Sequence, residues 1–116
     1  MAGSTVQRNS GQTVALSVTN TAHSAVQIVG NYTNDQVNFA SFLNTGTAPI
    51  AVKFGTTSSV SAPTFPSDGT NGDYVLPAGM TSPLILATPQ APFYMTALSN
   101  SATASLLYVT PVADQS

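Results

Sequence analysis

Short segments in which apolar and polar residues alternate recur along this chain, and they restrict its fold more than any other feature. An alternation of period two is typical of β-strands that bury one face. It is clearest from Ile50 to Phe54, where Ile50, Val52 and Phe54 share one face and Ala51 and Lys53 the other. Helices are disfavoured because glutamate is absent, lysine and arginine total two, and proline and glycine number eight each. The sequence therefore predicts an all-β protein.

The alternation predicts about eight strands. They are Thr13–Thr19, Ala25–Val29, Gln36–Leu43, Ile50–Phe54, Tyr74–Leu76, Leu84–Ala87, Phe93–Leu98 and Ala104–Val109. In the third of these strands, the alternation predicts that Val37, Phe39 and Leu43 share the inward face.

The last predicted strand is apolar on both faces. Leu107 and Val109 lie on one face, and Leu106 and Tyr108 lie on the other. A strand with this pattern is expected at the centre of a sandwich or at a contact between subunits.

Turn-forming residues separate the strands at a spacing of about 8–12 residues, which is typical of β-sandwiches and barrels. Asn20–Ala22 and Asn44–Gly46 share an Asn-Thr-small sequence, and we expect each to join two strands of a hairpin. The segment Gly55–Asp73 is long for a loop. We predict that it is a surface excursion with a short strand near Ser58–Ser61.

The chain is expected to contain one domain, because its 116 residues match the size of a single small domain. Residues 1–12 are predicted to be an extended N-terminal arm, residues 13–112 the β-sandwich, and residues 113–116 a loose C-terminal tail.

Charged side chains make up 5% of the sequence, against roughly a quarter in ordinary soluble domains. Two cations, Arg8 and Lys53, cannot neutralise a run of phosphates, so nucleic acid is not an expected partner. The chain also lacks a polybasic patch and a long apolar run, so a membrane is not an expected partner either. The 14 serines and 16 threonines can be buried against a protein partner at a lower desolvation cost than lysine or glutamate.

The residues needed for catalysis are scarce. Cysteine is absent and His23 is the single histidine, in a predicted turn where it is best explained as a solvated residue. No nucleophile elbow and no spacing of paired transition-metal ligands occurs. We therefore predict a protein that is not an enzyme, with no catalytic residues and no cofactor.

The segment from Asp68 to Asp73 contains the best candidates for a metal site. Asp68, Asn71 and Asp73 are interleaved with glycines and could offer oxygen ligands to Ca²⁺. The spacing does not match an EF-hand, and the favoured interpretation is a polar loop that hydrogen-bonds its own backbone. The prediction is accordingly no metal, with these three residues as the candidate calcium ligands.

Several motifs occur in a recognisable order. Asn44-Thr-Gly46 precedes a strand that ends in Phe54-Gly55, a Ser/Thr-rich loop follows, then Leu76-Pro-Ala-Gly79, and finally a segment that ends in Val109-Thr-Pro111. In this order the chain resembles small β-sandwich structural proteins of tailed bacteriophages, over roughly residues 36–112.

The resemblance implies a capsid decoration (cement) protein that binds the major capsid protein on the virion exterior and stabilises the shell. It also implies a homotrimer, made in the cytoplasm of the bacterial host. Taken with the strand pattern, it predicts an antiparallel β-sandwich of jelly-roll type. The alternatives are a head fibre base, a head–tail adaptor or another accessory virion protein of the same fold, or a secreted carbohydrate-binding module.

Two sets of contact residues are predicted on this basis. Ser4, Val6 and Arg8 of the arm are the candidates for contact with the capsid. Leu106 and Tyr108, on the second apolar face of the last strand, are the candidates for contact between copies.

Overall fold

A computed structural model describes residues 7–9, 11–29, 39–89 and 92–114, which form nine β-strands. The strands are β1 (Gln7–Asn9), β2 (Val14–Val18), β3 (Val26–Ile28), β4 (Phe39–Asn44), β5 (Ile50–Gly55), β6 (Tyr74–Leu76), β7 (Leu84–Ala87), β8 (Phe93–Ser99) and β9 (Ser105–Asp114). Each of the eight predicted strands corresponds to one of β2–β9. The predicted all-β class is confirmed.

The strands form two antiparallel sheets that pack face to face. In the first sheet the order is β2-β9-β4-β7, and β1 lies on the same edge of β9 as β2. In the second sheet the order is β3-β8-β5-β6. Four of the strand pairs are those of one long hairpin that has been rolled up, namely β2·β9, β3·β8, β4·β7 and β5·β6. Two further pairs, β4·β9 and β5·β8, complete the sheets. This is jelly-roll topology, as predicted.

The core lies between the sheets and is built from the inward positions of strands in both. The Phe54 ring lies 5.7 Å from the Phe42 ring of the first sheet and 5.8 Å from the Phe93 ring of the second, measured between centroids. Burial of each large apolar side chain stabilises the fold by roughly 1.5–3 kcal/mol. The fully buried apolar side chains include Leu16, Ile28, Phe42, Ile50, Leu76, Phe93, Met95, Leu107 and Val109.

The two hairpins predicted at Asn20–Ala22 and Asn44–Gly46 are wrong. The first turn joins β2 to β3 and the second joins β4 to β5, so each crosses from one sheet to the other. Residues that tolerate tight turns serve hairpins and inter-sheet connections equally well, and turn sequence alone does not distinguish the two.

The predicted orientation of β4 is also wrong. Ala40 and Phe42 are buried in the core, whereas Phe39 and Leu43 are half-buried on the opposite face. Phe42 pairs with Val109 of β9, and paired residues point to the same side of a sheet, so the inward Val109 places Phe42 inward. Val37 lies outside the described residues.

Pro111 lies within a strand that has neighbours on both sides, although proline lacks the N–H that a strand interior needs. The Thr45 N–H donates to the Leu106 carbonyl, so the even-numbered residues of β9 direct their backbone groups toward β4. The backbone nitrogen of Pro111 therefore faces the other edge of β9. It lies in the gap between Val109, which pairs with β2, and Val112, which pairs with β1.

The predicted arm and tail both contribute to the first sheet. Gln7–Asn9 of the arm form β1, which pairs with Val112–Asp114 at the end of β9. The strand β9 thus continues past the predicted end of the sandwich at residue 112. Residues 1–6 and 115–116 lie outside the described part of the chain.

The segment 56–73 is an excursion, as predicted, but the strand near Ser58–Ser61 is wrong. The backbone turns at Ser58 and Ser59, and the Ser59 N–H donates to Thr57 Oγ1 over 3.4 Å. Hydroxyl side chains that bond neighbouring backbone groups in this way compete with strand pairing.

Candidate binding surface on the outer face of the first sheet

The outer face of the first sheet is the side that points away from the core, and we call it the β9 face. It is formed by the outward residues of four strands, namely Ala15 and Ser17 of β2, Phe39, Ser41 and Leu43 of β4, Ile85 and Ala87 of β7, and Leu106, Tyr108, Thr110 and Val112 of β9.

Strand register arranges these side chains in rows across the sheet. Tyr108 lies between Ala15 on β2 and Leu43 on β4. Leu106 and Ile85 expose 37% and 43% of their surface, more than the other large apolar side chains described on this face. Hydroxyl side chains separate these apolar groups, because Ser41 and Thr110 occupy the same row as Ile85.

Among the side chains described on the β9 face, none is charged. Its polar members are serine, threonine and tyrosine, whose hydroxyl groups both donate and accept hydrogen bonds. One such bond, of 2.6 Å, joins Thr110 Oγ1 to Thr13 Oγ1 at the edge of the face. A surface of this composition is suited to protein contact, because the cores of protein interfaces are depleted of charge and contain aromatic residues.

The outer face of the second sheet, which we call the β5 face, is organised differently. The segment 56–73 crosses it, and Ser61 is the point of attachment. The Lys53 ammonium donates to Ser61 Oγ over 2.8 Å, and Thr96 Oγ1 donates to the Ser61 carbonyl over 3.2 Å. The outward Ala51 of β5 is fully buried, and Thr96 of β8 and Pro63 of the crossing segment are also buried.

The two predicted residues for contact between copies lie together on the β9 face. Leu106 is exposed and Tyr108 is half-buried, two positions apart on β9. Of the predicted capsid contacts, Arg8 lies in β1 and pairs with Ala113. Ser4 and Val6 lie outside the described residues.

The loop that holds the candidate calcium ligands folds around backbone hydrogen bonds. Asp73 Oδ2 accepts a 2.7 Å bond from the Thr64 N–H, and the Asp73 N–H donates to the Thr64 carbonyl over 2.7 Å. Asp68 and Gly69 form a two-residue turn between Ser67 and Thr70, with a positive φ of 75° at Gly69. The described residues contain no group of three His, Cys, Asp or Glu side chains able to hold a metal. The prediction of no metal, with Asp68, Asn71 and Asp73 as the candidate calcium ligands, stays a prediction.

His23 occupies a turn, as the sequence suggested. Its backbone N–H donates to the Ala97 carbonyl over 2.9 Å, and ring Nδ1 lies 2.8 Å from the Ser24 carbonyl, to which it donates. Both polar contacts fix the connection between β2 and β3.

Two of the motifs that carry the family resemblance meet at one end of the sandwich. The buried Asn44 side chain donates from Nδ2 to the carbonyls of Ala48 and Pro77, and its Oδ1 accepts the Gly46 N–H. The Gly79 N–H in turn donates to the Gly46 carbonyl. Both turns are thereby fixed to each other, a structural role that sequence reasoning did not assign to Asn44.

Comparisons with models of protein families, with curated proteins and with solved structures find no match. Within the described residues there is no helix long and apolar enough to span a membrane.

Proposed function

We propose that this chain is a non-enzymatic accessory structural protein of a tailed-phage virion, which binds the capsid shell and stabilises it. The observation that carries the proposal is the β9 face, which combines apolar and hydroxyl side chains without a charged group among those described. The ordered motifs from Asn44 to Pro111 supply the class of virion protein by resemblance.

Burial of this face against protein is favourable for two physical reasons. The apolar groups of Leu106, Ile85 and Tyr108 gain about 25 cal/mol for each Å² removed from water. The hydroxyl groups beside them cost less to desolvate than ammonium or carboxylate groups would.

Stabilisation of a shell follows from selective binding. A protein that binds the assembled lattice, and not its separated subunits, shifts the equilibrium toward the lattice by mass action. The partners are the major capsid protein and further copies of this chain, arranged as a homotrimer on the virion exterior. Leu106 and Tyr108 lie in the contact between copies, and the arm with Ser4, Val6 and Arg8 contacts the capsid.

The proposal is tested by adding purified protein to expanded capsids that lack it. Binding by the native chain, measured by co-sedimentation, is the expected result. Leu106→Lys places an ammonium group in the contact between copies and, by weakening the trimer, is expected to weaken capsid binding at least about tenfold, or about 1.4 kcal/mol.

Tyr74→Lys is the matched control, because Tyr74 is an exposed large apolar residue on β6 in the other sheet. Equal loss of binding in both variants, with both folded, contradicts a role for the β9 face. A stable monomer in light scattering at micromolar concentration contradicts the trimer. Binding to a connector or to glycans, with none to the shell, favours the alternative virion positions or the carbohydrate-binding module.

A further inference from the structure

The segment 56–73 contains an asparagine followed directly by glycine, at Asn71 and Gly72. We infer that Asn71 is a site of spontaneous deamidation in the folded protein. The Gly72 backbone nitrogen attacks Asn71 Cγ, a C–N bond forms, and the side-chain nitrogen leaves as ammonia. Water then opens the resulting succinimide to aspartate or isoaspartate, so the reaction needs only solvent.

The surroundings of this pair leave the reacting groups accessible. Both residues are exposed and lie outside the strands. Among the described residues, no hydrogen bond engages the Gly72 N–H or the Asn71 side-chain amide, whereas the flanking Thr70 and Asp73 N–H groups are both held by carbonyls.

The fold requires glycine at position 72. A Cβ added there would collide with the backbone nitrogen of Pro66. Any residue with a side chain would therefore require the loop backbone to move. The packing of the loop thus accounts for Gly72, and the position of Gly72 directly after Asn71 creates the Asn-Gly pair.

Three other asparagines in the described part of the chain are less suited to the reaction. Asn44 is buried, and its amide makes three hydrogen bonds to backbone groups. Asn20 and Asn100 are exposed in turns but precede Thr21 and Ser101, whose side chains hinder attack by the backbone nitrogen.

Deamidation adds one negative charge to a chain whose formal net charge is −2. The new carboxylate lies on the segment that crosses the β5 face, on the opposite side of the sandwich from the β9 face. An isoaspartate also lengthens the main chain two residues before Asp73, whose bonds to Thr64 tie the loop together. We expect a more acidic form with a loosened loop and an unchanged β9 face.

The test is incubation of the native chain in mildly alkaline buffer, followed by peptide mapping with mass spectrometry. The peptide that contains Asn71 should gain one mass unit several-fold faster than those with Asn20 or Asn100, at a rate that rises with pH. Asn71→Gln should abolish the main acidic form, and the matched variant Asn100→Gln should retain it.

Two results would overturn the inference. One is an unchanged Asn71 peptide at a time when Asn20 or Asn100 has reacted. The other is persistence of the main acidic form in a folded Asn71→Gln variant. Capsid binding is measured separately, so a failure of the proposed virion role leaves this result interpretable.

Discussion

The two outer faces of the sandwich differ in how far they are shielded from water. On the β5 face, the segment 56–73 is attached to the sheet through Ser61, and Ala51 and Thr96 are buried. On the β9 face, Leu106 and Ile85 stay exposed beside hydroxyl side chains. A chain with so few charges covers one sheet with its own backbone and leaves the other suited to covering by a partner. The following substitutions test that difference.

The largest effect is expected from Ala51→Asp, compared with Ala15→Asp. Ala51 is fully buried on the outward side of β5, so a carboxylate there loses its hydration without a partner. We expect the free energy of unfolding to fall by at least about 3 kcal/mol. At the exposed Ala15 on the β9 face, the same change should cost within about 1 kcal/mol.

Chemical denaturation of both variants gives the two free energies directly. Similar losses at Ala51 and Ala15 would show that the segment 56–73 does not exclude water from the β5 face. The two outer faces would then not differ in how far they are shielded from water.

A smaller effect is expected from Thr96→Val, which removes the hydroxyl that donates to the Ser61 carbonyl over 3.2 Å. Loss of this part-buried bond should cost about 1 kcal/mol. Thr110→Val on the β9 face removes the bond to Thr13 at an exposed position and should change stability by within about 0.5 kcal/mol.

Limited proteolysis distinguishes a local loosening of residues 56–73 from a general loss of stability in Thr96→Val. Cleavage of Thr96→Val should be faster within residues 56–73 and unchanged elsewhere, whereas Thr110→Val should be cleaved like the native chain. Uniformly faster cleavage of Thr96→Val would indicate a general loss of stability instead.

The smallest effect is expected from Lys53→Met. The Lys53 ammonium donates to Ser61 Oγ at an exposed site, where water can replace either partner. Methionine retains most of the apolar stem, so the free energy of unfolding should change by within about 0.5 kcal/mol. Thermal and chemical denaturation measure this change. If Lys53→Met lowered the free energy of unfolding as much as Thr96→Val does, the attachment of the segment would be assigned to the lysine.

Most of the strands could be predicted because local alternation is a direct consequence of burying one face of a sheet. The orientation of β4 could not, because Phe39, Phe42 and Leu43 place apolar groups at both parities. Pairing with β9, more than sixty residues away in the chain, decides which side faces the core. Topology at the turns likewise depends on partners distant in sequence.

The candidate site was only partly predictable for the same reason. Leu106 and Tyr108 could be found because their strand is apolar on both faces, and the other face is occupied by Leu107 and Val109. Ile85 and Leu43 were missed, since no local pattern shows that two short strands bring them onto the same surface. The burial of the outward Ala51 was missed because local alternation does not show what packs over a sheet face.

The rolled-hairpin topology also sets the order in which the molecule can assemble. The strand β9 is central in the first sheet, between β2 and β4, yet it is synthesised after both. Until β9 emerges, the apolar sides of β2 and β4 cannot be joined into one sheet, although the strands of the second sheet have already been made. Because pairing between distant segments is slow, completion of the sandwich depends on the arrival of a single strand, and interruption of synthesis before residue 105 leaves half of the core without its cover.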